Sequence, residues 1–276
     1  MKKACVIGWP ITQSRSPLIH SYWLRQYGIE GFYTKEPVEP ADLVTFLATM
    51  KDRGFVGCNV TVPYKERVFG SADIKDASAV AVGAANTLWF EGEALACANT
   101  DTYGFMANLD QSAPGWRDIP GPVLVLGAGG SARAVVYGLL ESGRDDVRIF
   151  NRTVARGEDI ARHFGAGVTA WPWDVRNDHV AQASLIINTT TLGMNGVGSP
   201  EIDFRLAKKD AVVADLVYVP LETPLLKSAR THGLVGVDGL GMLLHQAVPG
   251  FQKWFGVRPE VSSELYALVA ENIREA

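Results

Sequence analysis

Val123-Leu124-Val125-Leu126-Gly127-Ala128-Gly129-Gly130-Ser131-Ala132 decides how the rest of the chain is read. Four apolar residues form a short strand, G-x-G-x-x-A follows, and a stretch rich in Ala, Val and Leu then runs as a helix to Gly143. Gly127 permits a tight turn, Gly129 lets backbone approach a pyrophosphate, and Ala132 allows the helix to pack closely on the strand. The amides and positive dipole at the helix start, from Gly130 and Ser131 onward with Ala128 in the turn, suit a phosphate. This motif is weak alone, but a strand before it, a helix after it and a second strand at 147–150 supply the context of a dinucleotide loop.

An NAD site places Asp or Glu at the end of that second strand to hold a ribose hydroxyl. Asn151-Arg152-Thr153 stands there, with Arg156 one turn on. A carboxylate would repel a 2′-phosphate, whereas arginine binds one through charge-assisted, often bidentate contacts. The expected cofactor is NADP. The plainer alternative, a solvated helix start with Thr153 as its cap, can coexist with phosphate binding at one helix terminus.

Further strands are expected at 185–188, 212–215 and 234–237, separated by helix-compatible segments, which implies a doubly wound parallel sheet of the Rossmann type. After Gly241 the pattern is helical to the end, with Pro249 expected to kink or split the first helix. Leu265, Leu268, Val269 and Ile273 mark one face of the last.

The front half is mixed α/β. A strand is expected at 3–8, then a helix at 17–27 with Ser16 as N-cap, Pro17 at N1 and Gly28 as stop signal. A second helix is expected at 41–53, a strand at 57–62 running into Pro63, and a hairpin of 86–90 and 94–98 about Glu91-Gly92. The Pro, Gly and charged residues of 110–122 read as an inter-domain connection.

Composition narrows the function classes. At 47% hydrophobic and 20% charged, the chain has the make-up of a folded globular protein. A net charge of -4 leaves no electrostatic footprint for nucleic acid. The apolar stretch after Lys2 and Lys3 is too short for a signal sequence, and nothing approaches a membrane span. Cys5, Cys58 and Cys97 form no C-x-x-C pair and five histidines show no ligand spacing, so neither a disulfide framework nor a metal is expected. A cytoplasmic protein acting on a small molecule fits best.

Polar residues of the front half gather where strands end, the place where open α/β sheets build ligand sites. Ser14 and Ser16 follow the first strand. Asn59 and Thr61 alternate along a strand that runs into Lys65, Asn86 opens the hairpin and Asp101 follows it. A substrate with several hydroxyls and a carboxylate needs such a mixture of donors and acceptors. Taken singly, each has an ordinary role: Ser16 and Asp101 as caps, Asn86 in a turn, Lys65 facing water.

Together these stretches resemble the shikimate dehydrogenase family. The motifs are Ser14-Arg15-Ser16-Pro17, Asn59-Val60-Thr61-Val62-Pro63-Tyr64-Lys65, Asn86-Thr87-Leu88, Asn99-Thr100-Asp101, the glycine loop, Asn151-Arg152-Thr153, Asp215-Leu216-Val217-Tyr218 and Asp238-Gly239-Leu240-Gly241-Met242. The resemblance covers nearly the whole chain and implies reversible NADPH-dependent reduction of 3-dehydroshikimate to shikimate, a step toward chorismate and the aromatic amino acids. It implies Lys65 and Asp101 as the catalytic pair and Ser14 and Ser16 as holders of the substrate carboxylate. Asn59, Thr61, Asn86, Tyr218 and Gln246 would complete the pocket, with Leu216 and Gly239 on the nicotinamide side. It also implies a discontinuous substrate-binding domain of residues 1–105 and 240–276, with 106–239 as the NADP-binding domain. A homodimer is left open.

The chemistry agrees with these roles. Hydride delivery to a ketone builds negative charge on oxygen, which an ammonium such as Lys65 can stabilise and protonate, while Asp101 orients it. Gln13 stands where the family commonly has His, and Thr102 where it has Gly. Both neighbour the substrate residues, so a quinate or quinate/shikimate dehydrogenase is the nearest alternative. A non-catalytic dinucleotide-binding regulator is the alternative of another class, against which the retained Lys65 and Asp101 weigh.

Overall fold

Strand β1 (Lys2–Gly8) is buried from Ala4 onward and sits inside a sheet, as its run of small and β-branched residues requires. The structure, a computed structural model, describes residues 1–275. The chain divides into two units, one of residues 1–101 and 244–269, the other of residues 102–243 and the segment from Ala270 on. The sequence had suggested boundaries at 105/106 and 239/240, with everything after 240 in the first unit.

In the first unit β1 lies parallel to both β2 (Gly31–Pro37) and β3 (Phe55–Val60). The sheet is completed by β4 (Ile74–Lys75), β5 (Thr87–Glu91) and β6 (Ala94–Ala98) in the order β2-β1-β3-β5-β6-β4. The hairpin of β5 and β6 closes with Glu91 opposite Ala94, about the expected turn. Helices α1 (Ser16–Gln26), α2 (Leu43–Thr49), α3 (Lys65–Ser71) and α4 (Ala77–Val82) connect the strands. Ile7, Met50, Phe55, Tyr64 and Leu88 belong to one core cluster. Trp23, Tyr33, Phe251 and Trp254 pack around the fully buried His20. At Gly57 a Cβ would lie 2.1 Å from the Trp254 indole nitrogen, so only glycine lets that ring donate to the Leu88 carbonyl at 2.9 Å.

Local expectations fail here in instructive ways. Ser16 is already helical; Arg15 holds the N-cap without a side-chain bond, and the Ser14 hydroxyl accepts the Ser16 amide at 3.3 Å. Helix α2 is shorter than expected, because past Met50 the chain turns toward Gly54 at φ +82°. Strand β3 stops at Val60, since Thr61 starts a turn in which its carbonyl accepts the Tyr64 amide at 3.1 Å. Strand β2 escapes a periodicity reading because Tyr33 is the one buried residue along it.

The second unit carries β7 (Val123–Leu126), β8 (Val147–Asn151), β9 (Val168–Pro172), β10 (Leu185–Asn188), β11 (Val212–Asp215) and β12 (Val235–Val237). All pair in parallel in the order β12-β11-β10-β7-β8-β9, the doubly wound Rossmann arrangement, with strand order reversing between β7 and β10. Helices α5 (Thr100–Ser112), α6 (Gly130–Glu141), α7 (Val154–Phe164) and α8 (Pro224–Thr231) follow, while most of α9 (Gly239–Phe255) and of α10 (Ser263–Arg274) belongs to the first unit. The stretch 110–122 is not a free connection. Ala113 and Trp116 belong to the core of this unit, and the Trp116 indole donates to Asp110 at 2.7 Å, so turn residues there surround a buried anchor. Pro249 does not split α9, whose buried Val248, Phe251 and Trp254 hold the helix across it. On α10, Leu265, Val269 and Ile273 are buried as expected and Leu268 half-buried. No helix among the described residues is long and apolar enough to cross a membrane.

Candidate active site

Lys65 opens α3 just after β3, and Asp101 sits in the first turn of α5 just after β6, so two strand ends deliver them to one place. Lys65 Nζ donates to Asp101 Oδ2 at 2.5 Å. The two side chains are 31% and 16% exposed, open enough to meet a ligand but shielded enough for their charges to matter. The other carboxylate oxygen, Asp101 Oδ1, accepts Asn86 Nδ2 at 2.9 Å. Asn86 has no freedom to turn over: its Oδ1 accepts the Thr100 amide at 2.8 Å and the hydroxyls of Thr100 and Thr87 at 3.0 Å each. Its amide nitrogen therefore faces Asp101, with Gln246 Oε1 at 3.5 Å.

Asn59 is buried, and its Nδ2 donates to the Asn86 carbonyl at 3.2 Å and to Thr87 Oγ1 at 3.1 Å. Its Oδ1 accepts the Tyr33 hydroxyl at 2.6 Å. Both amide hydrogens are thus committed inside the protein, and only acceptor capacity on Oδ1 is left for a ligand. Thr61 is anchored by its amide to the Ile7 carbonyl at 3.0 Å. Burial pushes the Tyr33 phenol well above its usual range, a shift that the nearby Ser16 side chain opposes. Tyr33, Thr87 and Thr100 were not singled out from sequence. The two threonines had a signal, being neighbours of Asn86 and Asp101; Tyr33 had none.

The remaining candidates lie in the second unit, Tyr218 among them. Gly127 has φ +107°, and a Cβ there would meet Thr189 Oγ1 at 2.8 Å. At Gly129 and Gly130 a Cβ would meet nothing within 4 Å, and α6 starts without a side-chain cap. The amides at that end face open space, which suits a diphosphate. Ala132 is fully buried, Ala128 packs against the core and Ser131 is exposed. Asn151 Nδ2 donates to the Thr153 carbonyl at 2.8 Å, while the Thr153 hydroxyl makes no cap bond. Arg152 and Arg156 are exposed, and among the described residues neither joins an ion pair. Two cations and a hydroxyl beside the end of β8 fit the 2′-phosphate of NADP.

Leu216 follows a buried polar clamp that sequence reading missed. Asp215 accepts Thr223 Oγ1 at 2.7 Å, Asn188 Nδ2 at 2.8 Å and the Val217 amide at 3.1 Å. Burial raises its carboxyl, and those donors oppose the shift. Across from it, Asn108 Nδ2 donates to the Asp238 carbonyl at 2.7 Å and holds the turn containing Gly239. Of the two unusual positions, Gln13 is exposed and bonds locally to the Pro10 carbonyl at 3.3 Å, and the Thr102 hydroxyl donates to the Ala134 carbonyl of α6 at 3.0 Å.

Three family models match in sequence order: a shikimate dehydrogenase substrate binding domain over residues 6–88, a shikimate/quinate 5-dehydrogenase over 120–218, and a shikimate 5′-dehydrogenase C-terminal domain over 239–263. The shikimate dehydrogenase (NADP(+)) of Nitrobacter hamburgensis is 54% identical over 99% of this chain and 95% of its own length. The shikimate 5-dehydrogenase of Thermus thermophilus, solved with NADP(H) and shikimate, superposes with a TM-score of 0.85 at 33% identity, covering 99% of this chain and 100% of that one. A quinate dehydrogenase of Corynebacterium glutamicum solved with NAD has a TM-score of 0.88 at 29% identity, covering 98% and 100%.

Proposed function

The chain belongs to the shikimate dehydrogenase family, and from that membership we propose how its residues carry out the reaction. It is an NADP-dependent oxidoreductase acting on a CH–OH group, interconverting 3-dehydroshikimate and shikimate on the route to chorismate. Bound NADPH supplies the hydride. The glycine loop from Gly127 to Ala132 would hold its diphosphate, with Asn151, Arg152, Thr153 and Arg156 on the 2′-phosphate and Leu216 and Gly239 toward the nicotinamide.

Ser14 and Ser16 hold the substrate carboxylate by their hydroxyls, and Thr61, Asn86, Tyr218 and Gln246 bind its hydroxyls. Asn59 offers one acceptor and otherwise braces Asn86. The Lys65 ammonium stands at the ketone oxygen, stabilises the charge that builds there and holds the proton that the oxygen takes up. Asp101 fixes that ammonium with one carboxylate oxygen. The observation that carries this reading is the 2.5 Å contact of Lys65 with a carboxylate whose other oxygen is held by an amide that cannot turn over.

The test is an absorbance assay at the nicotinamide band with shikimate or quinate and with NADP or NAD. Turnover fastest with shikimate and NADP is expected; turnover with quinate and NAD alone would overturn the substrate and cofactor assignments, and no turnover with any pair would overturn the enzyme. The three buried cysteines are free, which supports a reducing, cytoplasmic setting, and the net negative charge argues for a small-molecule partner over nucleic acid.

A further inference from the structure

A directed series of hydrogen bonds joins the buried Tyr33 to the reacting pair. The Tyr33 hydroxyl donates to Asn59 Oδ1 at 2.6 Å. Asn59 Nδ2 donates to Thr87 Oγ1 at 3.1 Å, and that hydroxyl donates to Asn86 Oδ1 at 3.0 Å. Asn86 Nδ2 then donates to Asp101 Oδ1 at 2.9 Å, and Asp101 Oδ2 accepts Lys65 Nζ at 2.5 Å. Asn59, Asn86 and Thr87 are at most 5% exposed, so water cannot easily substitute for a missing partner.

The direction of donation along this series is set where a group can only accept or only donate: the Asn86 carbonyl accepts Asn59 Nδ2 at 3.2 Å, and the Thr100 amide donates to Asn86 Oδ1 at 2.8 Å. Asn59 Oδ1 then faces Tyr33, whose hydroxyl donates to it and completes its bonding, while the second hydrogen of the Asn59 amide goes to Thr87. Thr87, receiving that hydrogen, has its own proton available for Asn86. Were Asn59 reversed, its oxygen would face the Asn86 carbonyl and compete for the Thr87 hydroxyl. The Tyr33 ring is itself fixed, stacked on His20 with centroids 3.9 Å apart and planes at 9°. No ring nitrogen of His20 has a partner in hydrogen-bond geometry, so its contribution is a flat wall against the tyrosine and not a polar bond.

We propose that Tyr33 is a positioning residue of the reaction, whose hydroxyl braces Asn59 and, through Thr87 and Asn86, steadies the carboxylate that holds Lys65. This rests on the assignment of Lys65 and Asp101 as the reacting pair. Tyr33 touches no reacting atom; it acts on the transition state, where the placement of the ammonium matters most.

The test is a double-mutant cycle of Tyr33→Phe and Thr87→Val, with Thr87→Ser as the conservative variant, read in steady-state shikimate oxidation. Each of Tyr33→Phe and Thr87→Val should lower kcat about three- to tenfold with the KM for shikimate little changed. Together they should lower it by clearly less than the product of the single effects, because each interrupts the same series. Thr87→Ser, which keeps the hydroxyl, should restore most of the rate. The NADP dissociation constant, followed by fluorescence quenching, should stay at the wild-type value throughout. Strictly multiplicative losses in kcat, a change confined to KM, or equal losses for Thr87→Ser and Thr87→Val would overturn the proposal. Should Tyr33→Phe not fold, the comparison of Thr87→Ser with Thr87→Val still decides it. Activity surviving in Lys65→Ala would instead overturn the underlying assignment, so the two failures are told apart.

Discussion

The Gly239 Cα approaches the Leu216 carbonyl so closely that a Cβ on residue 239 would lie 2.3 Å from that oxygen. Neither side can give way. The Leu216 amide is bonded to the Asn188 carbonyl at 3.0 Å, and the Asp238 carbonyl just before Gly239 accepts Asn108 at 2.7 Å. Gly239→Ala should therefore push apart two backbone segments proposed to face the nicotinamide. The expected outcome is a KM for NADP raised by an order of magnitude or more, with the KM for shikimate little altered and stability lowered by roughly 1–3 kcal/mol. Kinetics with each ligand varied in turn checks this; equal effects on both KM values would remove Leu216 and Gly239 from the cofactor side.

Arg152 and Arg156 lie beside the end of β8, two exposed cations that, among the described residues, pair with no carboxylate. If they bind a 2′-phosphate, replacing them should harm NADP and spare NAD. A hydrogen bond to a charged group is worth about 1.5–3 kcal/mol, so Arg152→Ala should lower kcat/KM for NADP roughly 10- to 150-fold. The same variant should change kcat/KM for NAD far less. A parallel loss with both cofactors would mean that the arginines support the fold of α7 and do not read the phosphate.

How much of this could be read in the residue order depends on whether a position's neighbours are local. The glycine loop was legible because strand, turn and helix are contiguous and each glycine has a separate steric reason. Strands with continuous apolar runs, such as β7 and β10, were legible too. The edge strands β2 and β9 were not, since each buries one residue or so along its length and shows no alternation. The same cause hid Tyr33. Its partners Asn59 and His20 come from two other segments, β3 and α1, and nothing in the sequence around it announces a buried phenol. The clamp on Asp215 was hidden likewise, because Asn188 and Thr223 meet it only once β10 and β11 pair.

Lys65 and Asp101 meet at 2.5 Å, and the proposed reaction gives the lysine a function that its partner cannot replace. Lys65→Ala removes the cation proposed to stabilise charge on the ketone oxygen, and the proton that it holds. Loss of a general acid or base lowers rates by about 10²–10⁴, so kcat should fall by that order while the KM for shikimate moves little. Asp101→Asn keeps the shape but removes the charge that fixes the ammonium, and should lose less. Rate-limited steady-state kinetics of both variants decides the matter. A rise in KM at unchanged kcat would reduce Lys65 to a substrate-binding residue.

His20 connects the aromatic cluster of the first unit to its stability in acid. Burial lowers its imidazole to about 3, because a cation in that pocket would have no counter-charge; the nearby Asn59 side chain opposes the shift only in part. An unfolded chain has an ordinary histidine near 6.5, so below that pH the unfolded state takes up a proton that the folded state refuses. The folded state therefore has its full margin above pH 6.5 and loses it as pH falls toward 3, at up to about 1.4 kcal/mol per pH unit from this group. His245, lowered to about 4 by burial, acts with the same sign. His20→Phe keeps an aromatic ring against Tyr33 and deletes only the first contribution, leaving that of His245 in place. Urea denaturation at pH 7 and pH 5 should show wild type losing about 2 kcal/mol more than His20→Phe between those conditions. Identical losses in the two proteins would mean that the folded state protonates His20 at an ordinary pH, which its unpartnered ring and complete burial argue against.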